Sequence, residues 1–205
     1  MALGGIVRGK RTTLRTPVEA DLAAYDRWMA DMRLRRLVRP WQEPAMPATW
    51  KERLTEQTKE RSGALWSIDA GNALVGLIRV GFGSEPRRDA SHINNFNIDP
   101  EQWRKGYGWD AALALHRFLF DYLDLRRVSV NVTADDAGAR RIAERLGYVE
   151  YAHKHDVHYR DGGFVDELEL LIERETWDER WKSEREYQPT PGQGPQFSRS
   201  KGGVA

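Results

Sequence analysis

The chain has 205 residues, 40% of them hydrophobic and 31% charged, a size and mix suited to one globular domain and too apolar for a disordered chain. Lys and Arg total 32 against 31 Asp and Glu, a formal charge of +1, so no whole-molecule field holds a polyanion such as DNA. Cysteine is absent, which excludes a disulfide framework, a thiolate nucleophile and a cysteine-based zinc site. No run approaches the ~20 apolar residues of a membrane span and the first residues lack a signal-peptide core, so a cytoplasmic location is expected.

In chain order, residues 12–16 read as a first strand, and Thr16-Pro17-Val18-Glu19 as a helix start with a capping threonine, proline at the first position and glutamate three on. Leu22, Tyr25, Trp28, Met29 and Met32 follow at helical spacing. Prolines at 40, 44 and 47 separate that helix from another over residues 49–61. Residues 64–68 and 74–80 are branched-chain runs either side of an Asp69-Ala70-Gly71-Asn72 turn, and residues 92–98 complete a meander. Ala111, Ala112, Leu115, Leu119 and Tyr122 mark an amphipathic helix, followed by a strand over 127–132.

Asp135 or Asp136 caps a further helix that Gly147 ends, and residues 148–158 and 164–172 form a late hairpin around Asp161-Gly162-Gly163. The order β-α-α-β-β-β-α-β-α-β-β implies a mixed α/β sheet rather than a repeat array or a strictly alternating doubly wound fold. The single domain is expected over residues 1–182. Residues 183–205, rich in Pro, Gly and Ser, are expected to be a disordered tail.

The stretch from Asp99 to Ala112, Asp-Pro-Glu-Gln-Trp-Arg-Lys-Gly-Tyr-Gly-Trp-Asp-Ala-Ala, lies between a predicted strand and a predicted helix. Gly106 and Gly108 allow a tight turn that points successive N–H groups at an anion, helped by the helix dipole, so a phosphate or pyrophosphate is the expected ligand. Arg104 and Lys105 add counter-charge, and Asp110 suits the positive end of the helix. A glycine-bearing loop that merely starts a helix is the competing reading. Residues 106–111 also satisfy the loose dinucleotide pattern G-x-G-x-x-A, but about eight residues separate them from the strand, no ribose-binding acid stands at a strand terminus near Arg126, and too few βα units follow. No P-loop motif is present.

With that loop, Asn131-Val132-Thr133-Ala134-Asp135-Asp136 followed by residues 139–148, ending Leu146-Gly147-Tyr148, and the hairpin over residues 159–166 stand in order. Together they resemble the GNAT superfamily of N-acetyltransferases, especially its ribosomal-protein N-terminal acetyltransferase-like branch. The resemblance covers roughly residues 90–177 and implies a mostly antiparallel sheet flanked by helices. It implies an acyl-CoA co-substrate, most simply acetyl-CoA, with no metal, and a small amine or a protein N-terminus as acceptor; homodimerisation is a family-level expectation. It places Ile98, Arg104, Lys105, Gly106, Tyr107, Gly108 and Trp109 around the cofactor, and Asp136 near the pantetheine arm. Three positions depart from the pattern: Arg104 replaces a frequent glycine, Trp109 a small hydroxyl residue, and Asp136 a common asparagine.

GNAT-type chemistry is direct attack of an amine on a thioester, with oxyanion stabilisation available from a backbone N–H at the end of the residue 92–98 strand. The tyrosine that serves as acid in many relatives is matched here by Ala143. Tyr148 reads as core. His92 is the candidate base, with a surface histidine as the alternative. His153 and His155 fall on one strand face and His158 on the other, with no third ligand evident nearby, so no metal site is expected. These histidines can line the acceptor cleft, with Asp156 or Asp166 attracting a cationic amine. Trp28, Trp41, Trp50 and Trp66 read as packing residues. The alternative to an enzyme is a CoA-binding or partner-binding module that keeps the fold without the chemistry.

Overall fold

The computed structural model describes residues 5–38, 51–52, 55, 63–83 and 90–181. The expected tail from 183 and most of the expected helix over 49–61 lie outside them; of that helix, residues 51–52 and 55 are described and helical.

Eight strands form one sheet in the order β1-β2-β3-β4-β5-β6-β8-β7. They are β1 (Val7–Arg8), β2 (Thr13–Arg15), β3 (Gly63–Ala70), β4 (Ala73–Phe82), β5 (Ala90–Ile98), β6 (Arg127–Thr133), β7 (Val149–Arg160) and β8 (Gly163–Glu173). Every neighbouring pair is antiparallel except β5 and β6, which run parallel. A parallel pair needs a crossover. Here it is helix α3 (Tyr107–Arg117), extended by a π-helical turn at Phe118–Tyr122. The other helices are α1 (Leu22–Ala30), α2 (Met32–Val38), α4 (Ala137–Leu146) and α5 (Arg174–Trp181).

Strand alternation divides the core between the two faces of the sheet. Trp66, Ile68, Ile78 and Val80 belong to one apolar cluster with Ala111, Leu115 and Leu119 of α3. Leu65 and Leu77 belong to a second, with Tyr25, Trp28 and Met29 of α1.

The mixed α/β architecture and most strands agree with expectation, with four corrections. The chain starts with a hairpin, because the expected first strand pairs with β1. The first helix does not open at Thr16: a 3-10 turn at Glu19–Asp21 precedes α1, and the Val18 amide donates to Asp21 Oδ2 (2.9 Å), while Thr16 Oγ1 accepts from the Gly5 amide. The helical stripe breaks at Asp31, whose extended ψ of 112° ends α1, so Met32 opens α2 and is 70% exposed. Finally, α5 follows the hairpin; its charged sequence hides the signal, but Trp177 is fully buried against Phe120 (ring centroids 5.3 Å).

Asp21 joins β2, β3 and α1. Its carboxylate accepts from both Arg15 Nη atoms (2.7 and 2.8 Å) and from Ser67 Oγ (2.5 Å), and Tyr25 O–H donates in turn to Ser67 Oγ (2.7 Å). Burial pushes the Asp21 carboxyl upward, but the Arg15, Ser67 and Val18 hydrogen bonds outweigh it and hold the group below its ordinary value. A lowered folded pKa stabilises the native state at neutral pH and loses that contribution as pH falls through the folded value. Asp21→Asn is expected to cost on the order of 2 kcal/mol at pH 7 through its weakened charge-assisted hydrogen bonds, Arg15 keeping its pair with Asp69 Oδ2 (2.6 Å). Denaturant unfolding checks this, and the gap between wild type and variant should close in acid below the carboxylate range.

Candidate active site

The parallel β5–β6 ladder is short. It runs from Ala90↔Arg127 to Ile93↔Val130 and stops there, although both strands continue. The cause lies on the other edge of β5: Arg79 pairs with Asn95 but Val80 with Ile93, so Asn94 is an extra residue in β5. Such a bulge bends its strand and sharpens the twist. Gly81 permits it, because a Cβ there would meet Asn94 Oδ1 at 2.8 Å. Beyond Ile93 the strands part, and a cavity of about 140 Å³ fills the opening.

Asn94, Asn95 and Phe96 of β5 line one wall of this cavity and residues 130–133 of β6 the other. Asp136, Ile142 and Ala143 close it from the α4 side, while His158 and Glu167 reach it from the β7–β8 hairpin.

At the end of β5, the Trp103 indole N–H donates to the Ile98 carbonyl (2.7 Å) and Asp99 caps a 3-10 turn at Pro100–Gln102. The chain then reverses through two left-handed residues, Arg104 (φ 63°) and Gly106 (φ 83°), before α3 begins. Alternating handedness of this kind turns successive amides to one side, and the helix N-terminus adds its partial positive charge, a cradle suited to a pyrophosphate. The left-handed conformation at Arg104 accounts for the glycine expected there, since an L-residue carries a strain of roughly 1–2 kcal/mol in it. A Cβ at Gly108 would stand 3.4 Å from Ile142 Cδ1 and 3.5 Å from Ile98 Cγ1, so the start of α3 lies close to the end of β5 and to α4.

Side chains arrange themselves less simply than the sequence suggests. Lys105 Nζ is held by Gln102 Oε1 (2.9 Å). The Trp109 indole turns away into packing, with the Arg145 guanidinium 3.8 Å above it and Trp181 at 5.7 Å, so its backbone alone faces the loop. Tyr107 lies under Arg11, whose Nη1 donates to the Lys105 carbonyl (2.7 Å). Arg11 is thus a further cation at the cradle that sequence reasoning missed. Its only signal is a basic run near the N-terminus, 94 residues away.

What brings Arg11 there is Asp110. Its buried carboxylate accepts from the backbone amides of Lys10, Arg11 and Thr12 (3.1, 3.0 and 2.8 Å) and from Thr12 Oγ1 (2.7 Å). Asp110 therefore ties the β1–β2 turn to the start of α3, beyond its expected service to the helix dipole. Gly9 leaves room for it, as a Cβ there would fall 2.2 Å from Asp110 Oδ2.

Asp136 caps α4 by accepting from Ala139 N (2.9 Å), and burial pushes its carboxyl upward. Ala143 lines the cavity and offers no proton. Tyr148 is buried core as expected, yet it and His116 also reach the cavity. The Ala112 carbonyl can only accept, so His116 Nδ1–H donates to it (2.7 Å) and Nε2 accepts from Tyr148 O–H (2.6 Å). Burial lowers the imidazole from 6.5 to about 4, in keeping with a neutral ring.

His92 pairs across the last regular rungs of the parallel ladder, its Nδ1 2.8 Å from Ser129 Oγ, and burial lowers its pKa. It is absent from the cavity wall. Asp166 is engaged by His153 Nε2 (2.7 Å), His155 Nδ1 (3.1 Å) and the Asp156 amide (2.9 Å), and stands outside the cavity; Glu167 is the hairpin acid inside it. The expectation that no third ligand lies near His153 and His155 is corrected by Asp166, which strand pairing brings across the hairpin.

The acetyltransferase (GNAT) domain model matches residues 11–149. The chain belongs to the GNAT acetyltransferase family. No curated protein matches it in sequence. Among solved structures, this GNAT protein is similar to the Vibrio cholerae spermidine N-acetyltransferase in complex with CoA and spermine (17% identity, TM-score 0.73, covering 82% of this chain and 98% of that one). It is also similar to the acetyltransferase (GNAT family) from Bacillus anthracis (16% identity, TM-score 0.69, covering 83% and 99%) and a GCN5-related N-acetyltransferase from Brucella melitensis (16%, 0.69, 88% and 84%). At these identities the likeness is one of fold. A dinucleotide reading of residues 106–111 is excluded by the sheet itself, which is antiparallel outside β5–β6.

Because neutral His116 must become charged in the unfolded chain below pH 6.5, unfolding takes up a proton there, and native stability falls as pH drops. The loss is complete near the folded value of about 4 and amounts to about 3 kcal/mol. Urea unfolding between pH 7 and 4 should show this slope in wild type, and His116→Phe should flatten it.

Proposed function

We propose that the protein transfers an acetyl group from acetyl-CoA to a primary amine by direct attack, without a covalent enzyme intermediate. The observation that carries this reading is the cavity between parted β5 and β6, lined by Ala112 of α3, whose first turn follows the amide cradle of residues 104–109. That geometry suits a pyrophosphate on the cradle, a pantetheine arm past Ile98 and Asp136, and a thioester between the strands. Among the cofactor-facing residues, Arg104, Gly106, Gly108 and Trp109 act through the backbone. Lys105, Tyr107 and Arg11 surround the anion.

In the transfer, the amine nitrogen bonds to the thioester carbonyl carbon, the C–S bond breaks, and the thiolate takes a proton. β5 backbone amides beyond Ile93 have left the β6 ladder and are available to the developing oxyanion. A cationic amine must first lose a proton. Glu167 and His158 fit that task, since both line the cavity and His158 Nε2 stands 3.5 Å from Glu167 Oε2. Asn131 Nδ2 and Lys154 Nζ hold Glu167 Oε1, each at 3.0 Å. The pair is favoured over His92, which lies off the cavity wall. The Vibrio neighbour's spermine complex supports polyamines as acceptors to try first, and the resemblance to the ribosomal-protein branch keeps peptide N-termini beside them.

Calorimetric titration with acetyl-CoA, CoA and NADH tests the cofactor assignment. Saturable binding of the first two alone is expected, and Gly106→Val combined with Lys105→Glu should abolish it. A CoA-release assay over polyamines and N-terminal peptides then identifies the acceptor. His158→Gln is expected to lower kcat by about 100-fold, at the lower end of general-base effects, while His92→Ala should leave kcat close to wild type. Ala143 favours a second reading, a CoA-binding module without transfer, which tight acetyl-CoA binding without CoA release from any amine would support.

A further inference from the structure

Outside the cavity, the β7–β8 hairpin carries a cluster that the acetyl-transfer reading does not use. The β7–β8 register breaks between Lys154 and His158, where Asp156 adopts a left-handed φ of 57°. This bulge folds His155 back beside His153, so that the two imidazoles stack with centroids 4.3 Å apart and both face Asp166 of β8. The Asp166 carbonyl accepts from the Ala134 amide (2.9 Å), which anchors this end of β8, and the next residue, Glu167, is turned by alternation to the other face and into the cavity.

We infer that His153, His155 and Asp166 form a binding site for a divalent transition metal ion of the Zn²⁺, Co²⁺ or Ni²⁺ type. Their ligating atoms all lie within 4.8 Å of one another. His153 Nε2 and His155 Nδ1 stand 2.7 and 3.1 Å from the same carboxylate oxygen. Two ligands at right angles around a metal with bonds of ~2.1 Å would be separated by about 3 Å, so the cluster already holds the edge lengths of a coordination shell. Its composition, two imidazoles and one carboxylate, suits borderline transition metals and leaves coordination positions open; hard Mg²⁺ or Ca²⁺ would prefer an all-oxygen set.

The surrounding contacts are those that orient metal ligands. Glu150 Oε1 lies 3.3 Å from His153 Nδ1 and accepts its N–H, which leaves Nε2 as the ligating nitrogen. The Asp156 amide donates to Asp166 Oδ1 (2.9 Å), fixing the carboxylate so that Oδ2 points at the rings. Each of these partners is provided by the bulge or by the strand flanking it. The inference does not depend on the acetyl-transfer reading, since none of the three ligands lines the cavity.

The test is a titration of the full chain with Co²⁺, followed by visible absorption and by competition with Zn²⁺. Saturable ligand-field bands at one Co²⁺ per chain are expected. His153→Ala combined with His155→Ala, and separately Asp166→Asn, should weaken binding at least tenfold, and Glu150→Gln should weaken it by about tenfold through loss of the orienting hydrogen bond. Zn²⁺ should raise the melting temperature of wild type but not of Asp166→Asn. Should a variant fail to fold, His155→Ala alone, at a residue whose side chain is 74% exposed, decides the matter. Absence of saturable bands in wild type, or affinity unchanged in the double-histidine or His155→Ala protein, would overturn the inference.

Discussion

One parallel pairing organises this molecule. In an otherwise antiparallel sheet, β5 and β6 run the same way, and α3 is the connection that this requires. The crossover brings a helix N-terminus back beside the carboxyl end of β5, the place where the bulge at Asn94 has separated the strands. The amide cradle and the opening therefore come from the same topological decision. Were β5 to pair along its whole length with β6, neither the cavity nor the free β5 amides would exist.

The cradle is held from a distance. Asp110 accepts four hydrogen bonds from residues 10–12, which tie the N-terminal hairpin to the first turn of α3. A buried carboxylate with that many charge-assisted hydrogen bonds tolerates desolvation that an unpaired one would not. The same clamp sets Arg11 over Tyr107 and against the Lys105 carbonyl, adding a cation where the sequence offered only Arg104 and Lys105. Asp21 does comparable work on the opposite face, drawing Arg15, Ser67 and Tyr25 into one network that seats α1 on the sheet.

Around the cavity, proton chemistry is divided by side. Towards α3 and α4, Ala143 has no proton to give, and the Tyr148 proton is committed to a neutral His116. Towards the hairpin stand Glu167 and His158, with Lys154 and Asn131 fixing the carboxylate. That asymmetry is the reason the proposed function puts amine deprotonation on the hairpin side. The β7–β8 hairpin thus presents Glu167 inward and the histidine–aspartate cluster outward, two different chemistries on adjacent residues of one strand.

Much of this was legible in the sequence because it is written in local patterns. Alternation and turn residues marked β3, β4, β5 and the late hairpin; Asp136 and Gly147 bracketed α4; and the Gly106-Tyr107-Gly108 turn before an amphipathic run located the cradle. The family resemblance rested on the same contiguous blocks, and the match over residues 11–149 agrees with it. Other features had no local signature. Helix α5 has one fully buried residue, Trp177, within a charged segment, and periodicity cannot register a single apolar position. Arg11 at the cradle, Asp110 as a clamp, and Asp166 between two histidines depend on residues 94, 98–100 and 11–13 positions apart. The sequence determined the fold class and the position of the glycine-bearing loop before α3, since backbone conformation and one-sided apolar stripes are set by near neighbours. Tertiary structure decided which charges meet, where the strands part and which side chains face the cavity, because those follow from strand register and bulges that no short window contains.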